Sequence, residues 1–255
     1  MRTRAEHAVN LHGGTPRLVG EEDLAGFTAG QFLDVVKALT AILTLPPSAA
    51  DRVDALAVAT GQGEEWRLSH AIRGWEANPG LRHLLVTNGN PAEETYVELT
   101  LDHLRGLGLR RCEGVCLQAG PAPHTGRQAA WIAEQAQGLG IASLALAVSP
   151  YHLPRAYLTV LKALDRKSLR LPVIPVPVAV SPDTPVPETG ATAYDLVPGE
   201  VKRILTYMDD DQVATLGELQ HYLRWLWSRH ESLLVGAPGR AERPDGPSAA
   251  RIALP

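Results

Sequence analysis

Ser143-Leu-Ala-Leu-Ala-Val-Ser-Pro-Tyr-His-Leu-Pro-Arg-Ala-Tyr-Leu158 decides the fold. Ser143 to Val148 is a short uncharged run with the length and composition of a strand buried on both faces. Pro150 cannot donate to a ladder and pushes Ser149 toward an extended conformation, so the strand stops there. Leu153, Ala156, Tyr157, Val160, Leu161 and Leu164 then recur at helical spacing, and Pro154 fits such a helix only in its first turn. The unit is strand, tight turn, helix. In an open parallel sheet, ligands sit beyond the carboxyl ends of the strands, where helix N-termini also point. Ser149, His152 and Arg155 fall at that edge and are the first candidates for a site.

The same unit repeats along the chain. Val53–Thr60 predicts a strand, with Gly61-Gln-Gly63 turning into a helix over 64–75. His83–Thr87 predicts the next strand, ending in Asn88-Gly89-Asn90-Pro91, with a helix over 92–104. Arg111–Leu117 and a helix over 124–137 follow, and then the opening stretch. Five such units predict a Rossmann-like three-layer α/β sandwich of about five mainly parallel strands with helices on both faces. The last strand, Leu171–Val180, carries Pro172, Pro175 and Pro177, which would delete ladder bonds in a central strand and so predict a sheet edge.

The expected organisation is a tail over 1–19, a helical segment over 20–47 and the sheet domain over 53–180. A loop with closing helices follows over 181–235, and a second tail over 236–255. Gly26 and Gly30 are expected to weaken or split the first helical segment. In the last helix, Trp225 and Trp227 are expected to pack onto the sheet domain, with a homodimer surface as the alternative.

A net charge of −4 over 255 residues gives no reason to expect nucleic acid or an anionic membrane surface. The first residues lack the apolar core of a signal peptide, and no window approaches about 18 uninterrupted apolar residues, so no membrane is expected. Cys112 and Cys116 lie four apart in a predicted strand, roughly 13 Å apart and too far to bridge. Small buried thiols in a reducing cytoplasm are expected.

Several loops offer chemistry. Gly61 and Gly63 would let backbone amides approach an anionic group, but Trp66 stands where a dinucleotide fingerprint needs its third glycine. Asn88 and Gly89 sit where a second loop would meet ligand, glycine permitting close approach and the amide reading polar edges. Glu94 falls in a predicted first helical turn, where the dipole favours a carboxylate with or without ligand. His124 and Thr125 open the next helix, and Arg127 lies three residues past His124 as Arg155 lies three past His152. Together they predict a cationic mouth suited to phosphate or carboxylate. No ligand spacing supports a metal site from His124, His152 and Glu94, and Ser149 lacks the glycine-flanked elbow of a serine hydrolase.

Tyr151-His152-Leu153-Pro154-Arg155-Ala156, Thr87-Asn88-Gly89 and the early Glu94 resemble, in this order, the motifs of the DUF218 family, over 53–180. The family's central Asn-Thr-x-Glu-Asn survives here only as His124-Thr125-Gly126-Arg127-Gln128, which keeps the threonine and replaces the carboxylate by Arg127. The flanking helices are similar to the soluble YdcF-like branch. The resemblance implies a Rossmann-like domain with a cleft at the strand ends, S-adenosylmethionine or another nucleotide-like small molecule as ligand, and no metal. On that basis Arg155 is expected to clamp a carboxylate or phosphate, and His152 to hydrogen-bond or act as acid–base. Asn88 and Gly89 would hold the polar part, and Thr125 with the helix-start amides a second anion; Gly61, His124 and Ser149 are the further ligand-binding candidates, and Glu94, the catalytic candidate beside His152, would meet a ribose hydroxyl or amine. An enzyme acting on that ligand is expected; a phosphoryl or pyrophosphoryl hydrolase and a non-catalytic sensor or scaffold are the alternatives.

Overall fold

The computed structural model describes residues 18–235, so the tails expected over 1–19 and 236–255 lie outside the described residues except for Leu18 and Val19. Five strands form one sheet: β1 (Ala55–Val58), β2 (His83–Val86), β3 (Val115–Leu117), β4 (Leu144–Val148) and β5 (Val173–Pro177). Their order is β3-β2-β1-β4-β5, and every neighbouring pair is parallel. Central β1 and β4 are buried at every position, which is why both read as uncharged apolar runs.

The helices are α1 (Ala29–Leu43), α2 (Glu65–Ala77), α3 (Leu101–Gly106), α4 (Thr125–Gly138), α5 (Leu153–Arg166), α6 (Ala193–Asp209) and α7 (Leu216–Val235). Right-handed crossovers put α2 and α3 on one face of the sheet and α4 and α5 on the other, giving a three-layer Rossmann-like sandwich. From β1 the chain winds outward to β3, then returns to β4 on the other side of β1. The topological switch therefore lies between β1 and β4, and their carboxyl ends open the crevice where such sheets bind ligands.

The prolines of β5 cost no ladder bond. Leu144 N donates to Pro172 O at 2.8 Å and Val178 N to Val148 O at 2.9 Å, so even-numbered residues face β4. Pro175 and Pro177 share the opposite parity, and their missing N–H groups point away from the sheet. Val173, of that parity too, receives substitutes from the helices. Its N–H donates to Tyr222 Oη at 2.7 Å, and its carbonyl accepts from Tyr157 Oη at 2.9 Å.

The structure corrects one predicted helix and extends another. Instead of a helix over 92–104, residues 92–95 form turns, 96–100 are irregular, and α3 begins only at Leu101. Thr100 caps it, accepting from His103 N at 3.0 Å, while the amides of Glu94 and Thr95 are taken by the Glu188 carboxylate at 3.1 and 3.0 Å. The loop is thus held by a carboxylate distant in sequence. Conversely, α6 starts at Ala193 rather than near 200, because Thr192 and Asp195 form a capping box ahead of it. The first segment does split, into a short 3-10 turn at Glu21–Asp23 and α1. In α7, Leu219 and Leu226 are buried and Trp225 packs on the core, whereas Trp227 is 44% exposed. Among the described residues no helix is long and apolar enough to cross a membrane.

Candidate functional site

Two buried ion pairs stand at the carboxyl ends of β1 and β4. The first joins Glu64 and Arg67, on either side of the start of α2, both almost fully buried. Arg67 Nε also donates to Ser149 Oγ at 2.9 Å, its Nη1 to Ala59 O at 3.1 Å and its Nη2 to Tyr151 Oη at 3.3 Å. Ser149 in turn donates to Glu64 Oε1 at 2.7 Å and receives Trp66 Nε1 at 3.2 Å. Ser149 thus ties the end of β4 to the start of α2.

The second pair joins α5 to α6. Arg155 Nε lies 2.5 Å from Glu200 Oε2 and Nη2 lies 3.1 Å from Oε1, a fork-on-fork geometry. Nη1 donates to Thr125 Oγ1 at 3.0 Å, so all three guanidinium nitrogens have protein partners. Arg203 Nη1 adds a 2.8 Å bond to Glu200 Oε1. His152 Nδ1 lies 3.0 Å from both Glu200 Oε2 and Arg155 Nη2, donating to the carboxylate as Nδ1–H or accepting from the guanidinium as the other tautomer. Burial, followed by the Arg155 charge, pulls the His152 pKa down to about 4, so the imidazole is neutral near pH 7. Burial opposes the charge on Glu200, but Arg155 and His152 outweigh it and hold that carboxyl well below the usual range. For Arg155, burial is likewise outweighed by Glu200, and its pKa is raised.

Beside this network, between the loops after β1 and β2, lies a cavity of about 190 Å³. Thr60, Gly61, Gly63 and Gly89 form one wall; Thr95, Tyr96, Val97 and Leu99 form another. Its titratable lining is Glu64, Glu65, Glu93 and His103. Glu93 Oε2 accepts from Gln62 N at 2.7 Å, and burial, against that amide, pushes the Glu93 pKa up, with Glu188 adding to the rise. Gly61, Gln62 and Gly63 all have positive φ, which lets this turn fold under Glu93. Pro187 closes the cavity from above; a Cβ at Gly63 would lie 2.8 Å from the Pro187 Cβ. The loop carrying Pro187 is fastened by Glu188, whose carboxylate also accepts from Thr95 Oγ1 at 2.6 Å.

The expected site residues thus separate into four groups. Gly61 and Gly89 line the cavity. Ser149, His152, Arg155 and Thr125 meet in the ionic network, where the arginine clamps an internal carboxylate. Asn88 is buried as a loop brace: its N–H donates to Gln118 Oε1, its Oδ1 accepts from Gly89 N, and its carbonyl accepts from Gln128 Nε2. His124 is exposed at the N-cap of α4 and makes no side-chain cap, and Arg127 is exposed as well. Glu94 is exposed; the neighbouring Glu93 is the one that turns inward, because the predicted helix that would have carried Glu94 does not form.

Glu64, Arg67, Glu93 and Glu200 were missed. For Arg67 a signal existed. It sits on the stripe Arg67, Leu68, Ala71, Ile72, Trp75 that α2 turns to the sheet, with an acid three residues before it. Glu200 precedes the buried Ile204 by one turn in α6, a similar charge on an inward face. Nothing local distinguished Glu93 from Glu94.

Among the described residues no three histidine, cysteine, aspartate or glutamate side chains are grouped to hold a metal ion. Compared with protein-family models, curated proteins and solved structures, the chain matches none.

Proposed function

We propose that this chain binds an uncharged or cationic nucleoside-like small molecule of the S-adenosylmethionine type in the cavity between the β1 and β2 loops. The observation that carries this is Glu93: a carboxylate lining a glycine-walled cavity at the strand ends, with Oε2 accepting from Gln62 N and both oxygens beside Gly61. A half-buried acceptor of that kind suits ribose hydroxyls or an ammonium group. The DUF218-like motifs support the same ligand class. Glu65 and Glu93 in the lining disfavour a phosphate, and Arg67 and Arg155 are already paired with Glu64 and Glu200, so the phosphoryl hydrolase alternative draws no support from the site. The enclosed volume is below the roughly 300–1,000 Å³ usual for small-ligand sites, so the Pro187–Glu188 loop has to move outward to admit the ligand.

Bound S-adenosylmethionine would supply an electrophilic methyl group. Glu93, held above the ordinary carboxylate range, is the base that lines the cavity and would take the acceptor's proton. A cytoplasmic setting goes with this function and with the free thiols of Cys112 and Cys116.

Thermal shift with S-adenosylmethionine, S-adenosylhomocysteine and ATP tests the proposal. The two adenosyl amino acids should stabilise the protein by about 2.7 kcal/mol at about 100 times their dissociation constant, and Glu93→Ala should abolish this. A shift with ATP alone, or with none of the three, would overturn it.

A further inference from the structure

We infer that a second binding site lies on the far side of Tyr151 and takes a compact, uncharged, mainly hydrocarbon or aromatic molecule. The pocket measures about 300 Å³ and is bounded by α1, the start of α5, the loop after β5 and α6. It too sits at the carboxyl edge of the sheet, beyond β4 and β5. Its walls follow from helical spacing. Leu39 and Leu43 stand one turn apart on α1, and Val197, Val201 and Ile204 form one apolar row on α6. Pro150, Pro154 and Pro182 form another part of the wall. Proline fixes φ and brings no N–H, so this stretch of wall is preformed and offers a ligand no backbone donor.

The two polar side chains in the body of the pocket, Tyr151 and Glu200, are already satisfied, and the Tyr194 hydroxyl belongs to the exposed lip. Tyr151 Oη bonds Glu64 Oε2 at 3.0 Å and Gln62 Oε1 at 3.3 Å, and both Glu200 oxygens are taken by His152, Arg155 and Arg203. A charged or strongly polar occupant would therefore be desolvated with nothing to pair with, whereas an apolar one loses nothing. At the lip, Tyr194 is 68% exposed and Leu43 is 50% exposed, apolar surface that an occupant would cover. The volume is at the lower end for small-ligand sites. The Tyr151–Glu64 hydrogen bond is the partition between this pocket and the Glu93 cavity, since Tyr151 lines one and Glu64 the other. The apolar site stands on its own geometry, whatever the Glu93 cavity binds.

The test is titration of the full chain with 1-octanol and with indole, followed by thermal shift and ligand-observed saturation-transfer NMR, with sedimentation velocity on the same samples. Both probes should bind saturably. Val197→Trp, which fills the pocket, should weaken binding about tenfold or more. Tyr194→Ala, at an exposed lip position that leaves the core intact, should weaken it less but measurably. Glu93→Ala should leave binding of both probes unchanged, which separates this site from the nucleoside cavity. Absence of saturable binding, or equal binding in Val197→Trp and Tyr194→Ala, would overturn the inference. So would a wild-type dimer that Tyr194→Ala dissolves, because a second copy would then be the occupant.

Discussion

Arg155 and Glu200, 45 residues apart in sequence, form a two-bonded ion pair with both side chains at least nine-tenths buried. It fastens α6, which follows the sheet domain, to the first turn of α5, which belongs to it. A buried pair is costly to break because the surviving charge is left without water or partner. Glu200→Ala should therefore destabilise the fold by about 3–5 kcal/mol in urea denaturation. The double variant Arg155→Met/Glu200→Met should be less destabilised than the sum of the two single variants. Additive losses would show that the pair is not energetically coupled.

The same cluster sets an acid limit on stability. His152 has its pKa lowered from 6.5 to about 4 in the folded protein, so between those values the unfolded chain binds the extra proton. Stability must then rise with pH from about 4 to 6.5, by at most about 3 kcal/mol from this group. Glu200, whose folded pKa is depressed, adds a loss that begins below its ordinary value of 4.5. Guanidinium unfolding at pH 4.5, 5.5 and 6.5 should show the rise, and His152→Asn should flatten it. A flat wild-type profile would mean that His152 titrates in the fold as it does in the unfolded chain.

Glu93 acts in the opposite sense. Its pKa is raised by burial, so the folded state holds the proton more tightly than the unfolded chain. Its contribution declines as pH rises from 4.5 through the folded pKa. Glu93→Gln keeps the hydrogen-bonding shape without the charge and should raise the melting temperature at pH 7.5 more than at pH 4.5. Equal effects at both values would indicate a carboxylate that titrates normally.

Glu188 should control access to the Glu93 cavity. Its carboxylate accepts from Glu94 N, Thr95 N and Thr95 Oγ1, pinning the Pro187 loop over the β2 loop. Charge-assisted bonds of this kind contribute about 1.5–3 kcal/mol, less at a half-exposed position. Glu188→Ala should speed amide exchange at residues 93–96 selectively, with the central strands unaffected. Uniform acceleration would instead mean global destabilisation.

Tyr222 replaces a strand neighbour at the sheet edge. Its Oη accepts from Val173 N and donates to Leu171 O at 3.1 Å. Tyr222→Phe leaves a buried N–H unpaired and should cost about 1–3 kcal/mol. Loss of less than about 0.5 kcal/mol would mean that water reaches Val173.

Much of the architecture is legible in local sequence. Apolar runs ending in Pro, Gly or Asn locate all five strands, and the Pro172–Pro177 pattern places β5 at an edge. The stretch 143–158 puts Ser149, His152 and Arg155 at the ligand-binding edge of the sheet. Their partners were not legible there. Arg155 read alone is a free cation; only α6 folding back brings Glu200 against it and makes it internal. The course of residues 92–100 was likewise not legible, since this stretch is tied through the amides of Glu94 and Thr95 to the carboxylate of Glu188, about 94 residues away in sequence.

Local sequence carries what depends on neighbours within a turn or a strand: the type of most elements, the burial of β1 and β4, and the strand-end position of the conspicuous polar residues. Tertiary structure alone decided the strand order with its switch between β1 and β4. It also decided that Glu93 rather than Glu94 lines a cavity, and that the arginines are spent inside the fold. The physical reason is that charge pairing and cavity shape depend on separation in space. Contacts such as Glu64 with Ser149 or Arg155 with Glu200 join segments that no periodicity links.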